Sequence, residues 1–131
     1  MKVIDIKTTA KEEFINITHK VRDEVRHSGI HNGIGLVFVP HTTAGITINE
    51  NADPDVREDI LAGLKKIVPD SFPWQHGEGN SPAHVKAGLV GSSVLIIVEG
   101  GELRLGTWQG IYFCEFDGPR DRNAYVKFFG R

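Results

Sequence analysis

Apolar and polar residues alternate through VIDIKT, from Val3, as in a strand with one face buried. From Asn16 the period lengthens. Thr18 caps a predicted short helix that carries Val21 and Val25 at i, i+4 and is ended by Gly29. GIGLVFVP then reads as a strand stopped by Pro40, and GITINE, Gly45 to Glu50, as another, with HTTA between them. Asp53 before Pro54 is a cap followed by a proline at the first helical position. Val56, Ile60, Leu61, Leu64 and Ile67 trace one apolar face before Pro69 ends that helix. Ser81 and Pro82 repeat the signal and open a shorter helix, through His84 and Val85 towards Gly88 or Gly91.

After Gly91 the pattern becomes SVLIIVE, a Gly-Gly turn, ELRL, then GIYFCEFD, a predicted meander to which AYVKFFG adds a last strand. No repeat or Pro/Ser-rich linker divides the chain, so residues 1–131 are expected to form a single domain. The fold class is α+β: a mostly antiparallel, sandwich-like sheet core with two or three inserted helices. LVFV and VLIIV are apolar on both faces. Such strands need cover on both sides, from a second sheet, helices or neighbouring subunits.

Charge narrows the partners. The 131 residues include 15 Lys or Arg and 17 Asp or Glu, a formal net charge of −2, and no basic run marks a nucleic-acid footprint. The opening MKVIDIKTTAKEEF has no apolar signal core, and nowhere do 18 apolar residues follow one another. No nucleic acid, no membrane and a cytoplasmic location are expected. Cys114 is the only cysteine and lies among Ile111, Tyr112, Phe113 and Phe116, the setting of a buried strand rather than of a reactive thiol.

Of six histidines, His19, His27 and His31 fall among charged residues near the first helix and read as surface or capping groups. His41 directly follows a buried strand and a proline, while His76 and His84 flank the loop in WQHGEGNSPAH. Neutral imidazoles with an open fourth position make a familiar catalytic metal geometry, and Glu50, Asp53 and Glu78 can supply oxygen ligands or act as acid–base groups. The spacing matches no standard zinc signature, and capping already explains Asp53 and Ser81. HTTAGITINENAD nevertheless gathers Thr42, Thr43, Asn51 and carboxylates at a strand end and a helix start, where free N–H groups favour anions. Thr107, Trp108 and Gln109 form a third polar group. Arg120 and Arg122 are candidates for phosphate contact, Arg104 a weaker one, and Asn80 a further polar neighbour of the histidine loop.

Taken together, HTTAGITINENADPDVREDI, WQHGEGNSPAHVKAGLVGSS and LRLGTWQGIYFCEFDGPR resemble, in order and over nearly the whole chain, the YjbQ-like family, also labelled secondary thiamine-phosphate synthase. The resemblance implies a homotrimer with polar pockets near subunit boundaries and a metal-binding histidine cluster at His41, His76 and His84. It carries Glu50, Asn51 and Asp53 onto the family's ENAD segment, and Thr107, Trp108 and Gln109 onto its GTWQG segment. It further implies a capacity to join an aminopyrimidine diphosphate to a thiazole phosphate with release of pyrophosphate. A divalent ion, zinc or magnesium, and a small phosphorylated substrate follow as expectations. Two other uses of the same residues stand beside this one. One is hydrolysis of a phosphorylated or acylated metabolite with Glu78 as general base, and the other is non-catalytic binding of a metabolite or metal.

Overall fold

The computed structural model describes residues 1–131 as β1 (Lys2–Lys7), β2 (Glu13–Asn16), α1 (Thr18–Ser28), β3 (Asn32–Phe38), β4 (Ala44–Glu50), α2 (Pro54–Ile67), α3 (Ser81–Val90), β5 (Ser93–Glu99), β6 (Glu102–Leu103), β7 (Gln109–Glu115) and β8 (Asp121–Gly130). The fold is α+β, as the alternation suggests. A five-stranded antiparallel sheet has the order β1-β8-β3-β5-β6, and a three-stranded one the order β2-β7-β4.

Strand alternation decides what meets what. Ile4 and Ile6 of β1, Val37 of β3, Ile96 and Val98 of β5, and Ala124 and Val126 of β8 point inwards. They pack on Ala44, Ile46, Ile111 and Phe113 of the smaller sheet and on Val21 and Val25 of α1. The other face of the smaller sheet carries Phe14, Tyr112, Cys114 and Phe116 against Ala83 and Ala87 of α3, with Ile60, Leu61 and Leu64 of α2 at the margin. The layers are therefore the large sheet, then the small sheet with α1 beside it, then α2 and α3.

Several expectations change. The meander ends after β6: β7 crosses to become the middle strand of the small sheet, and β8 inserts between β1 and β3. IYFCEF is apolar on both faces, and only a middle strand lying between a sheet and helices covers both. The four-residue β2 has too short a pattern to be read in sequence. Thr18 is not a cap; Ile17 holds that position. The Thr18 hydroxyl donates to Asn16 Oδ1 at 2.6 Å and accepts the Ile111 N–H at 2.8 Å, tying α1 to β7. Asp53 caps α2 as expected, its Oδ1 accepting the Asp55 N–H at 2.9 Å, yet no residue of α2 is fully buried and Ile67 is exposed. Asn80, rather than Ser81, precedes α3 at the cap position.

Cover for the doubly apolar strands is only half met within one chain. Val3, Ile34, Phe38, Leu95, Ile97 and Phe129 are exposed on the large sheet, where register sets Ile34 beside both Ile97 and Phe129. No helix is long and apolar enough to cross a membrane. Cys114 is buried, and burial pushes its thiol pKa far up, which fits an inert strand residue.

Candidate functional site

The chain leaves β3 through Pro40 and sets His41 against β8, where Nε2 accepts the Asn123 N–H at 2.9 Å. With that lone pair engaged, the neutral ring carries its hydrogen on Nδ1 and offers a donor there. The ring also packs edge-on to Phe113 at 6.5 Å. Burial first, then the Arg122 charge, and Arg120 after it, lower the His41 pKa from its ordinary 6.5, so the ring is held neutral. Its unfolded-state pKa is then the higher one. The stabilisation is complete above about pH 6.5 and is lost as pH falls below it. Urea midpoints of the wild type are expected to drop between pH 7.5 and 5.5, and those of His41→Gln to drop less over the same window.

Behind His41 lies a fully buried ionic network. Arg122 Nε donates to Glu115 Oε2 at 2.7 Å, and its Nη2 donates to Glu115 Oε1 at 3.1 Å and to Thr43 Oγ1 at 2.8 Å. Arg122 and Thr43 are thus occupied with the frame. Neither is free for a phosphate or substrate contact, contrary to the sequence reading. Glu115 escaped that reading, although a lone carboxylate inside IYFCEF is the signature of a buried charge with a partner elsewhere. Burial pushes its carboxyl pKa up against the opposing hydrogen bonds from Arg122.

Helix α3 brings His84 to the same place. His41, Thr42 and His84 line one depression of about 300 Å³, floored by Ala87 and Gly88. His76, from the loop before α3, meets His84 edge to face at 5.6 Å between ring centroids, and its Nε2 lies 3.6 Å from Glu78 Oε2. Arg120 is half exposed and pairs with Asp117 at 3.0 Å; the Asn80 amide donates to the same Asp117 oxygen, also at 3.0 Å. Lys86, missed in the sequence, is buried on α3 and pairs with Glu12 at 2.7 Å.

The three histidines do not converge within one chain. His41 turns its Nε2 to Asn123, and no group of three His, Cys, Asp or Glu side chains is gathered closely enough to hold an ion. What does form is a His76–His84 pair with Glu78 beside it. Two imidazoles on one tetrahedral ion at standard bond lengths have centroids roughly 5 Å apart, close to what this pair shows.

The other expected residues lie elsewhere. Ala44 begins β4 beside His41 while Glu50 ends it, so the strand puts about 20 Å between them at the usual rise per residue. At that far end Glu50 Oε2 accepts the Ala52 N–H at 3.2 Å, Asp53 caps α2, Asn51 N–H donates to the Trp108 carbonyl at 2.8 Å, and Gln109 Oε1 accepts the Gly106 N–H at 2.8 Å. Glu50 and Asp53 are therefore too distant to assist the histidines of their own chain. Trp108 is 63% exposed, and Thr107 beside it is also exposed. A Cβ on Gly110 would stand 2.8 Å from Asn51 Cβ, so Gly110→Ala is expected to displace Asn51 and destabilise the fold by about 1–3 kcal/mol, read from urea unfolding.

A family model described as "UPF0047 protein YjbQ-like" matches residues 2–131. The chain belongs to the YjbQ-like family. This YjbQ-like chain is 52% identical to the UPF0047 protein YugU of Bacillus subtilis, over 99% of each. It is equally identical to a UPF0047 protein of Methanocaldococcus jannaschii, over 95% of this chain and 91% of that one. A crystal structure of a YjbQ/UPF0047 protein from Clostridium acetobutylicum, described as uncharacterised, superposes with a TM-score of 0.97 at 56% identity, covering 98% and 100% of the two chains. Another from Sulfolobus solfataricus, described as of unknown function, does so with 0.96 at 38% identity, covering 99% and 96%. The YjbQ-like assignment thus rests on nearly the full chain.

Proposed function

We propose that the histidine end binds a small phosphorylated molecule together with a divalent ion and acts as a transferase of the thiamine-phosphate synthase kind, in a homotrimer. The observation that supports this best is the single depression shared by His41, Thr42 and His84, with the His76–His84 pair at its margin. His76 and His84 would hold the ion, and Glu78 would orient His76 or add an oxygen. When bound, a divalent ion neutralises oxyanions and so eases departure of a diphosphate. In that reaction the thiazole nitrogen bonds to the pyrimidine methylene carbon, whose bond to the diphosphate oxygen breaks and leaves its electron pair on pyrophosphate.

The chain's own tasks are binding and alignment. His41, held neutral, presents Nδ1–H as a donor to a phosphate oxygen without titrating near pH 7. Arg120, steadied by Asp117, offers the rest of its guanidinium to the same charge. Hydrolysis with Glu78 as base is less well supported, because the Glu78 side chain is 76% exposed and stands in open solvent rather than over an enclosed substrate.

Incubation of metal-loaded protein with the aminopyrimidine diphosphate and the thiazole phosphate is expected to release thiamine phosphate and pyrophosphate together, detected by chromatography. Phosphate release from either substrate alone would point to the hydrolase instead. No product with any divalent ion would end the transferase reading.

A further inference from the structure

Helix α3 turns one side inwards and the other to the histidines. Ala83, Lys86 and Ala87 are buried, while Ser81, His84, Val85 and Gly88, spaced i, i+3, i+4 and i+7, share the outward face. His84 stands midway along that face and lines two depressions rather than one. Towards Gly88 lies the one it shares with His41 and Thr42. Towards Ser81 lies a second, of about 370 Å³, formed by Trp74, His76, Ser81, His84 and Val85, and its wall is almost wholly apolar.

Trp74 gives this wall its shape. Its indole N–H donates to the Pro69 carbonyl at 3.2 Å, its backbone N–H to the Phe72 carbonyl at 2.8 Å, and the Phe72 ring packs on it with centroids 4.7 Å apart. The side chain is thus pinned to the exit of α2 and is only partly exposed. Because its N–H is already engaged, it offers the depression ring surface and no hydrogen bond. Trp108, by contrast, lies beyond the far end of β4, about 20 Å from His41 at the usual strand rise. Beside Trp74 stand the His76 and His84 rings, set at 87° to each other, and the exposed Val85. Ser81 adds a hydroxyl to the same wall; Asn80 occupies the cap position, so Ser81 is not spent there. Planar side chains around an apolar recess with one polar group make a receptacle for a flat ring.

We infer that Trp74, Val85 and Ser81 form a ring subsite: the heteroaromatic ring of the phosphorylated ligand lies against the Trp74 indole with a ring nitrogen on the Ser81 hydroxyl, and its phosphates pass His84 to reach His41 and Thr42. The two depressions meet at His84, so one ligand occupies both. Ser81 and Gly88 stand roughly 10 Å apart along the helix at its usual rise, a span that a ring joined through one methylene to a diphosphate covers. The subsite also sets a selectivity. An aliphatic group meets the indole through a few methylenes, whereas a ring meets it over a full face. The phosphate half rests on the phosphorylated-ligand reading above, and the ring half on the Trp74 recess alone.

Four probes separate the halves of the site: benzyl diphosphate, 3-pyridylmethyl diphosphate, ethyl diphosphate and pyrophosphate, each titrated by calorimetry with magnesium present. The wild type is expected to bind benzyl diphosphate at least tenfold tighter than ethyl diphosphate, and the pyridyl compound tighter still. Trp74→Ala should cut the preference for a ring to less than twofold and leave pyrophosphate affinity within twofold of the wild type. Trp74→Phe should keep most of the preference, and Ser81→Ala should lose only the advantage of pyridyl over phenyl. Diphosphate binding with no preference for a ring overturns the inference. So does a preference that survives Trp74→Ala, or a Trp74→Ala protein that loses all four probes alike, which would show that Trp74 shapes the loop and does not meet the ring. Saturation-transfer NMR with 3-pyridylmethanol, a ring without phosphate, reads the recess by itself: its signal is expected in the wild type and should vanish in Trp74→Ala. A protein that gives that signal but binds no diphosphate, or that prefers rings yet makes no thiamine phosphate, would defeat the reaction proposed above and leave the ring subsite standing. Thiamine phosphate formation with an unchanged KM for the aminopyrimidine diphosphate in Trp74→Ala would do the reverse.

Discussion

Arg122→Met is expected to destabilise the folded protein by about 3–5 kcal/mol, because it leaves the Glu115 carboxylate buried without its counter-charge. Both side chains are almost wholly inside: Arg122 is 3% exposed and Glu115 fully buried. An orphaned carboxylate there has two outcomes, protonation or admission of water, and each disturbs the junction of β7, β8 and the HTTA turn. The double variant Glu115→Leu with Arg122→Met removes both charges and is expected to recover most of the loss, since desolvation of the pair offsets much of its attraction. Urea unfolding of the two singles and the double, closed as a mutant cycle, measures the coupling. A single that loses less than about 1 kcal/mol would show the pair to be solvated and its geometry irrelevant to stability. The network also fixes the turn that aims His41, through the hydrogen bond from Arg122 to the Thr43 hydroxyl. Loss of stability and loss of ligand affinity should therefore travel together in Arg122→Met.

Why the elements were readable and the site only partly so has a physical basis. Alternation and caps are local, and they located β1, β3, β4, β5, α2 and the end of α1 at Gly29. Sheet membership is not local. VLIIV and IYFCEF look alike in sequence, yet β5 lies in the large sheet and β7 at the centre of the small one, because pairing follows which face another layer covers. The same limit applies to chemistry. HTTAGITINENAD reads as one cluster of polar groups, but its middle is a strand, and an extended strand separates its ends instead of joining them. His41 and His84, 43 positions apart, share a depression, whereas His41 and Glu50, nine apart, do not. Sequence also cannot say that a lone pair is already engaged, as on His41 Nε2, or that Thr43 faces Arg122 rather than a ligand.

His84→Ala is expected to lower turnover or phosphate-ligand affinity by at least a hundredfold, more than any other single change at the histidine end. His84 is the one residue that belongs to both halves of the site: it lines the depression with His41 and Thr42, and its ring stands 5.6 Å from that of His76. Its removal takes away one of two nitrogen ligands from any ion held there, and an ion left with one imidazole has no fixed position against the substrate. His76→Ala should cost nearly as much in ion affinity while leaving the depression itself intact. Comparison of the two separates the roles: calorimetric titration of a divalent ion should fail in both, and binding of inorganic phosphate or pyrophosphate without the ion should weaken in His84→Ala alone. His84 is exposed and sits on a helix held by Ala83, Ala87 and the Lys86–Glu12 pair, so the substitution is expected to shift unfolding by less than about 0.5 kcal/mol. A His84→Ala protein that folds normally and binds ion and phosphate as the wild type does would remove the histidine end from the function altogether.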